Sequence, residues 1–379
     1  MSEIMLNSSE PEIADIYPLS PMQQGMLFLA LNAPGSGMYV EQVTYTLRGE
    51  LDLTAFERAW QHAAARHAVL RTSLLWEDAG EPLQIVEQEV KVPFAREDWR
   101  ALSHAEQETR LRAYLEADRR RGFDLAHAPL FRLAIFRVAT GAYRVVFTHH
   151  HVILDGWSIA VLLDEVIAAY GAYAAGDIPR LPEPRPYRDY IEWIVSQDQD
   201  AAEHFWRARL AGFAEPTLIN PMPAGKSVEG SKEELRVTLS DELSGRLSEL
   251  ARASQVTLNT IVQGGWGLLL SRYVGRPDVV FGATVSGRPP ALAGVEQMIG
   301  LFINTLPVRV QVEKDVSVTS WLRQLQREAA DAYAYQHARL TDVHAWSEVA
   351  AGRALFDTLV VFENYPAGGA TGAVSGGEA

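Results

Sequence analysis

Cysteine is absent from the 379 residues of this chain. Its absence excludes disulfides, thiolate metal sites and a thioester formed on the protein itself. Long apolar runs are also missing, because no stretch approaches the roughly 20 unbroken apolar residues that span a bilayer. Residues 1–16 are polar and acidic, so we interpret them as a leader or linker rather than a secretory signal. The sequence therefore predicts a protein without a membrane segment.

Positive charge is scarce: 34 Lys and Arg residues oppose 48 Asp and Glu residues, and the net charge is −14. A nucleic-acid binder needs clustered basic residues for its phosphate contacts, and the basic residues of this chain are scattered. We therefore expect no nucleic-acid partner. The chain is also too long for one compact core of ordinary size, so two domains or lobes are expected.

Strand and helix patterns alternate along the chain, which is typical of a mixed α/β fold. Residues 130–138 and 143–148 predict a hairpin around a turn at Ala139-Thr140-Gly141. Ser20-Pro21-Met22-Gln23 predicts a helix that begins with a capping box, and Thr54-Ala55-Phe56-Glu57 predicts a second one.

Four closely spaced prolines, at positions 179, 182, 184 and 186, mark the clearest boundary in the chain, because a helix interior does not accept proline. Beyond them, residues 187–210 predict one connecting helix. Near the end of the chain, residues 356–362 predict a strand, and residues 367–379 are small and polar.

Three consecutive histidines at positions 149 to 151 raise the question of a metal site. Successive residues that leave a strand point in alternating directions, so the three rings cannot easily bind one ion. No pair of histidines at helical spacing supports them. We therefore predict no metal site. The chain also lacks the Gly-x-Ser-x-Gly elbow of serine hydrolases.

The segment from His150 to Ser158 is the best candidate for chemistry. It lies where a strand ends and a helix begins, and such loops commonly hold catalytic groups because the scaffold fixes their ends. Histidine exchanges protons near neutral pH, and Gly156 permits close approach of a substrate or of another backbone. A structural histidine at a strand end is the competing interpretation on the residues alone.

This segment resembles the His-His-x-x-x-Asp-Gly motif of nonribosomal peptide synthetase condensation domains. Further stretches resemble other motifs of that family in the same order, at residues 17–28, 66–72, 187–193, 285–289, 299–307, 344–347 and 361–366. The resemblance extends from about residue 16 to residue 366. Members of the family usually continue with another strand-and-helix segment, so either this chain is a trimmed piece or its second lobe is short.

The resemblance implies a two-layer α/β fold with two lobes, each similar to a chloramphenicol acetyltransferase protomer, in a V-shaped pseudodimer with the active site in a tunnel between them. On that basis we divide the chain into a leader (1–15), an N-terminal lobe (16–180), an interlobe linker and helix (181–210), a C-terminal lobe (211–366) and a loose tail (367–379).

The resemblance further implies amide-bond formation between a donor thioester and the amine of an acceptor thioester. Both groups would be tethered to phosphopantetheine arms of carrier proteins, and the domain itself would bind no cofactor. The expected partners are the donor and acceptor peptidyl carriers and the adjacent synthetase domains. The expected location is the cytoplasm, which the lack of cysteine also fits.

By position in the motif, His151 is the expected catalytic group, as a general base or as a residue that orients the amine. His150 is grouped with it, although a structural role is favoured because neighbouring side chains diverge. Asp155 is expected to form a buried, architectural ion pair with Arg288. Gly156 is expected to line the donor side, where a side chain would crowd the thioester.

Four further residues are candidates for substrate contact: Trp157, Ser158, Asn304 and Asn364. For Trp157, packing at the start of the helix is the favoured alternative. For Asn304 and Asn364, a capping or turn role is at least as well supported.

Several functional alternatives remain open. An epimerization domain of the same fold uses the same histidine with a glutamate, although residues 156–158 and 286–289 favour condensation. A non-catalytic recruitment module would be expected to have lost the histidine motif. A stand-alone acyltransferase would act on a soluble amine or alcohol. Within condensation domains, residues 21–26 and 153–157 resemble the subtype that joins a D-configured donor to an L-configured acceptor.

Overall fold

A computed structural model of the chain describes residues 12–77, 80–219 and 234–363. Most of the predicted leader, the whole predicted tail and the candidate Asn364 lie outside the described residues. The remaining candidates can all be located in the structure.

The described residues contain ten strands, ten α-helices and two short 3₁₀ helices, Ala68–Arg71 and Val295–Gln297. The strands are β1 (Ile13–Pro18), β2 (Val40–Arg48), β3 (Thr72–Leu75), β4 (Leu83–Glu87), β5 (Phe94–Asp98), β6 (Phe131–Ala139), β7 (Ala142–His150), β8 (Asp278–Val285), β9 (Asn304–Gln311) and β10 (Leu359–Val360). The helices are α1 (Pro21–Asn32), α2 (Leu53–Arg66), α3 (His104–Arg121), α4 (Gly156–Ala174), α5 (Tyr187–Val195), α6 (Gln199–Leu210), α7 (Asp241–Ser254), α8 (Leu258–Val274), α9 (Val318–Tyr333) and α10 (Leu340–Trp346). The mixed α/β class is therefore confirmed.

Two compact units divide the chain. Among the described residues, the first contains everything up to Ser196 together with Arg288–Phe302, and the second contains Gln197–Gly287 and Ile303–Glu363. The division at Ser196 falls inside the predicted interlobe segment, so the predicted lobe boundaries and the pseudodimer stay predictions. No sequence pattern predicted that the segment Arg288–Phe302 belongs to the first unit.

The first unit is built on a four-stranded sheet of order β2-β7-β6-β5 and a three-stranded sheet of order β1-β4-β3. Strand β7 pairs antiparallel with both β2 and β6, which confirms the predicted hairpin. Trp60 of α2 packs against Phe131 and Phe147 on one face of the larger sheet. On the other face, Leu111 of α3 belongs to a core cluster that contains Val146. Consecutive residues of β7 thus face different helices.

The predicted starts of three helices can be compared with the N-caps in the structure. Ser20 caps α1 in a complete capping box with Gln23, as predicted. The second predicted capping box is wrong, because α2 begins at Leu53 and Asp52 accepts a hydrogen bond from the Ala55 backbone at 3.0 Å. The predicted single helix over residues 187–210 is also wrong. Asp198 caps a new helix, so the segment forms α5 and α6.

The second unit has a three-stranded sheet of order β10-β8-β9, with β8 antiparallel to β9 and parallel to β10. Its strand β10 has two residues, and so is shorter than the strand predicted over residues 356–362. Buried clusters around Trp206 and around Phe281 form its core.

Helix α4 is the one helix of the described residues that is long and apolar enough to cross a bilayer by length and composition alone. In the first unit it packs against α2: Tyr170 contacts Phe56 edge to ring, and the carboxylate of Glu165 lies 2.8 Å from Nε2 of His67.

Candidate active site

The three consecutive histidines occupy different environments. His149 is fully buried and stacks on Phe147 with ring centroids 5.0 Å apart, and burial lowers its pKa to about 3. His150 is also buried, with burial lowering its pKa to about 4. Both imidazoles are therefore neutral at pH 7. Within the described residues, no group of three His, Asp or Glu side chains is arranged to hold a metal ion.

His151 is partly exposed and held at two atoms. Its backbone N–H donates to the carbonyl oxygen of Tyr39 at 2.7 Å, and its Nδ1 lies 2.7 Å from the carbonyl oxygen of Leu154. A carbonyl oxygen can only accept, so Nδ1 carries the proton and the lone pair of the neutral ring is on Nε2. No hydrogen bond to Nε2 is found among the described residues. The ring is thus oriented to accept a proton or a hydrogen bond at Nε2.

Tyr39 supports His151 from an unusual backbone conformation. Its φ of 62° lies in the left-handed region, which bulky residues rarely adopt. Such a conformation costs on the order of 1–3 kcal/mol and persists where the surroundings impose it, commonly near functional sites. No local sequence signal predicted this role, because neither a glycine nor an asparagine marks the position.

Asp155 caps α4, and both of its carboxylate oxygens accept hydrogen bonds. Its Oδ1 accepts from the Ser158 backbone at 2.8 Å, and its Oδ2 accepts from the Phe302 backbone at 2.9 Å. Nη2 of Arg288 lies 3.4 Å from Oδ1. The structure therefore brings together the two residues expected to form an ion pair, and it directs both carboxylate oxygens to structural partners.

Arg288 is buried within the same cluster. It donates to the carbonyl oxygens of Val295 and Met298, and its guanidinium lies 3.9 Å from the ring centroid of Phe302. Burial lowers the pKa of Arg288, and the charge of Asp155 opposes that shift. These contacts tie the segment Arg288–Phe302 to the start of α4.

Ser158 completes the cluster. Its Oγ donates to the carbonyl oxygen of Gly300 at 2.7 Å and accepts from the Gly300 backbone at 3.0 Å and from Nη2 of Arg288 at 2.8 Å. Position 300 requires glycine, because a Cβ there would lie 2.1 Å from the ring of Tyr187. The hydroxyl of Ser158, a predicted substrate contact, is thus occupied by the protein itself.

Gly156 is the first residue of α4, and its backbone does not have the positive φ that would require glycine. The next residue, Trp157, donates from its indole N–H to the carbonyl oxygen of Glu296 at 2.8 Å, and its ring lies 5.5 Å from the guanidinium of Arg288. Trp157 therefore packs at the helix start, while Gly156 leaves that start without a side chain.

Asn304 belongs to the second unit, at the first residue of β9. Its Nδ2 donates to the carbonyl oxygens of Gln336 and Ala338 at 2.7 and 2.9 Å, and its Oδ1 accepts from the backbone of Thr305 at 2.9 Å. The amide is buried and fully engaged, so it anchors the loop after α9.

A buried pair of glutamines, Gln23 and Gln84, holds the backbone of Val152, which follows the three histidines. Gln23 donates to Oε1 of Gln84 at 2.9 Å and to the carbonyl oxygen of Val152 at 3.0 Å. Gln84 in turn donates to the carbonyl oxygen of Pro18 at 2.9 Å. The sequence identified Gln23 as a helix cap only, and its second contact depends on a residue 129 positions away.

Comparisons with known proteins show the family of the chain. The family model described as Condensation domain matches residues 13–373. The chain is 46% identical over 359 residues to one of the linear gramicidin synthase proteins of Brevibacillus parabrevis, covering 94% of this chain and 7% of that protein. It is 38% identical over 367 residues to bacitracin synthase 3 of Bacillus licheniformis, covering 96% of this chain and 6% of that protein. The chain thus spans a small part of these relatives.

Solved structures show the same fold. The starter condensation domain of rhizomide synthetase superposes with a TM-score of 0.75 at 21% identity, covering 91% of this chain and 78% of that one. The first condensation domain of the calcium-dependent antibiotic synthetase superposes with a TM-score of 0.73 at 19% identity, covering 92% and 80%. The family match over nearly the whole chain confirms the assignment as an amide-forming acyltransferase: this chain belongs to the condensation-domain family of nonribosomal peptide synthetases.

Proposed function

We propose that this chain joins a donor acyl or peptidyl thioester to the amine of an acceptor aminoacyl thioester, both carried on phosphopantetheine arms of carrier proteins. The proposed partners are these two carriers and the adjacent synthetase domains. The single observation that carries the proposal is the orientation of His151, whose Nδ1 is fixed on Leu154 and whose Nε2 remains available.

In the proposed reaction, the acceptor nitrogen attacks the thioester carbon, the C–N bond forms and the C–S bond breaks. The proton lost by the nitrogen passes to Nε2 of His151, and His151 then returns it, directly or through water, to the departing thiolate of the donor arm. The amide product remains on the acceptor arm. Atoms and charges balance without any cofactor held by the domain.

The role of His151 follows from the acidity of the acceptor amine. Free α-amines titrate near about 8, and the adjacent thioester carbonyl withdraws electrons, so the amine is substantially neutral near pH 7. A strong base is then unnecessary for the attack. We assign His151 to orienting the amine and accepting its proton late, with proximity of the two tethered groups supplying much of the rate.

The roles of the other site residues are also proposals. Asp155 and Arg288 would act as an architectural pair that fixes the start of α4, because their contacts are all internal. Gly156 would line the donor side, and His150 would stay neutral. Residues 16–180 and 211–366 would each form one acetyltransferase-like lobe. The cytoplasmic location and the D-donor subtype stay predictions.

A two-carrier assay tests the proposal. One carrier bears a peptidyl thioester in its D or L form, the other bears an L-aminoacyl thioester, and intact-protein mass spectrometry follows transfer. Peptide on the acceptor arm is the expected result, with the D donor used faster. Equal or greater use of the L donor would refute the subtype.

An incubation in deuterated water distinguishes condensation from epimerization. Incorporation of deuterium into a single carrier-bound peptide without transfer would show epimerization and would overturn the proposal. Equal transfer to a soluble amine and to the tethered acceptor would instead identify a stand-alone acyltransferase. The control is His151→Ala, which should slow transfer strongly but leave the loaded carriers intact.

A further inference from the structure

The turn that follows the three histidines contains one peptide unit whose two polar atoms are both held. The N–H of Ile153 donates to the carbonyl oxygen of His150 at 3.2 Å, and the carbonyl oxygen of Val152 accepts from Nε2 of Gln23 at 3.0 Å. Both atoms belong to the planar peptide group between Val152 and Ile153. The orientation of this group is therefore fixed from two sides, by the turn itself and by a side chain of α1.

This peptide unit lies between His151 and the atom that orients its ring. Nδ1 of His151 lies 2.7 Å from the carbonyl oxygen of Leu154, so the turn of residues 151–154 contains both the ring and its partner. Only the φ and ψ angles of Ile153 and Leu154 separate the held peptide unit from that carbonyl oxygen. A rotation of the unit would therefore move the oxygen relative to the ring.

Gln23 is fully buried, and each polar atom of its side chain is engaged. Its Oε1 accepts from the backbone of Ser20 at 2.8 Å, and its Nε2 donates to Val152 and to Oε1 of Gln84. An inverted amide would place Oε1 against two acceptor oxygens. The amide therefore has one stable orientation, with its donor toward Val152.

Gln84 supports that orientation from β4. It is fully buried, and its Nε2 donates to the carbonyl oxygen of Pro18 at 2.9 Å, which leaves its Oε1 to accept from Gln23 at 2.9 Å. The two amides thus form a hydrogen-bonded chain between two carbonyl oxygens, those of Pro18 and Val152. A buried polar network with every member satisfied makes its surroundings rigid.

The tautomer of His151 depends on the partner of Nδ1. In a neutral imidazole, the hydrogen bond that one nitrogen makes decides which nitrogen carries the proton. The carbonyl oxygen of Leu154 selects the tautomer with the proton on Nδ1, and the lone pair is then on Nε2. A ring that lost this partner would populate both tautomers, and only one of them accepts a proton at Nε2.

We propose that Gln23 is a positioning residue for His151: by holding the carbonyl oxygen of Val152, it fixes the turn that brings Leu154 to Nδ1 and so keeps the lone pair on Nε2. Gln23 acts through the backbone and meets none of the reacting groups. This inference rests on the proposed function for the use of Nε2 in peptide transfer. The tautomer itself is a property of the free protein and is measured without any transfer.

Gln23→Met tests the proposal, because methionine has nearly the same length as glutamine and no donor for Val152. Nitrogen NMR of the full chain, with ¹⁵N in its histidine rings, reports the tautomer at about pH 8, where imidazoles are ordinarily neutral. The signals that disappear in His151→Ala are those of His151. The wild type should show the proton on Nδ1, and Gln23→Met should show a mixture of both tautomers. An unchanged tautomer in Gln23→Met would overturn the proposal.

Single-turnover transfer between loaded carriers gives the second measurement. At saturating carrier concentration, Gln23→Met should be slower than the wild type by about 10–100-fold, because a misplacement of about 1 Å can cost about 10²-fold in rate. The carrier concentration that gives half of the maximal rate should stay the same, since Gln23 is fully buried. A loss that comes only from weaker carrier binding would contradict the positioning role.

Two further methionine variants are controls. Gln84→Met breaks the same buried chain but leaves Gln23 within reach of Val152, so it should lower the rate less than Gln23→Met does. Gln107→Met removes a glutamine of α3 whose Nε2 donates to three main-chain carbonyl oxygens, and it should change neither rate nor tautomer. If Gln107→Met loses as much rate as Gln23→Met, the effect is one of general stability and the proposal is wrong.

Gln23→Asn is the second variant in case Gln23→Met does not fold. Its amide is one methylene shorter, so it cannot reach Val152 from the same backbone position, and it should give the same mixture of tautomers. The two proposals fail separately. A tautomer mixture in this variant, together with no transfer by the wild type, would keep the positioning role and reject the proposed function. Normal transfer with an unchanged tautomer in the variant would reject the positioning role alone.

Discussion

His151 and Asp155 belong to one short motif, yet they differ in how much of their hydrogen-bonding capacity the protein uses. His151 is partly exposed, with Nδ1 engaged and Nε2 available. Asp155 is buried, with both oxygens engaged by backbone donors and by Arg288. The difference teaches that a motif can combine one residue available for chemistry with another that fixes the scaffold.

The largest expected effect is on the rate of peptide transfer when His151 is replaced. His151→Ala should lower the rate of peptide transfer by roughly 10²–10⁴-fold, the range for loss of proton transfer by a positioned side chain. The free energy of unfolding should fall by only about 0.5–1.5 kcal/mol, because one hydrogen bond to Leu154 is lost. Single-turnover transfer and urea unfolding measure the two quantities.

The matched control for His151→Ala is His104→Ala, an exposed histidine at the start of α3. It should change neither quantity appreciably. A His151→Ala protein that transfers peptide at the wild-type rate would contradict both roles considered for this residue.

Asp155→Ala tests the structural side of the comparison. It should lower the free energy of unfolding by about 3–5 kcal/mol, because it leaves the buried charge of Arg288 without its carboxylate. Adding Arg288→Met should recover part of that loss, since the uncompensated charge is then removed. Urea unfolding measures all three proteins. If Asp155→Ala stays as stable as the wild type and is merely slow, the architectural role is wrong.

An exposed ion pair supplies the control for that experiment. Arg207 and Glu203 lie 2.7 Å apart on α6, with side chains that are 55% and 39% exposed. Exposed pairs contribute about 0–1 kcal/mol, so Glu203→Ala should change stability by less than that amount. The contrast between the two pairs isolates the effect of burial from the effect of losing a carboxylate.

Local patterns predicted the local part of this site, and the family resemblance predicted one distant pair, Asp155 and Arg288, while the other distant contacts were missed. The β6–β7 hairpin and the capping box at Ser20 follow from patterns within a few residues, and the structure shows both. The contacts of Gly300 with Ser158 connect residues 142 positions apart. No local pattern encodes such a contact, because it depends on how two remote segments pack.

Two errors have a common physical cause. A Thr-x-x-Glu pattern and an aspartate two positions earlier both offer a cap for α2, and in the structure Asp52 is the cap. In the same way, the helical periodicity of residues 187–210 continues across Asp198, whose side chain begins a new helix. Hydrophobic periodicity indicates which face of a helix is buried, and it does not show where one helix ends and the next begins.

His149→Phe sharpens the comparison among the histidines through pH. Burial lowers the pKa of His149 to about 3 in the folded protein, below the ordinary value of 6.5. As the pH falls below 6.5 the unfolded chain takes up a proton and the folded chain does not, so stability declines by about 1.4 kcal/mol per pH unit. The phenylalanine variant should lose this contribution and gain about 2 kcal/mol relative to the wild type between pH 7 and pH 5.

Urea unfolding at both pH values measures this gain. Stability at pH 7 should be little changed, because phenylalanine keeps the stacking on Phe147 and neither ring nitrogen of His149 has a hydrogen-bond partner among the described residues. An equal dependence on pH in the variant and the wild type would show that His149 is not the group that resists protonation. His150 should continue to contribute its own acid sensitivity in both proteins.

The smallest expected effect concerns Gly156, which follows Asp155 and is the first residue of α4. Leucine at this helical position should leave the free energy of unfolding within about 1 kcal/mol of the wild type, because glycine has no conformational advantage in a helix. Transfer should fall about tenfold or more, since overpacking a closely approached surface costs about 1–3 kcal/mol. Gly171→Leu is the matched control, because it lies on the same helix and a Cβ there meets open space. If Gly156→Leu and Gly171→Leu transfer peptide equally fast, the start of α4 does not approach the donor, and the absence of a side chain at position 156 needs a different cause.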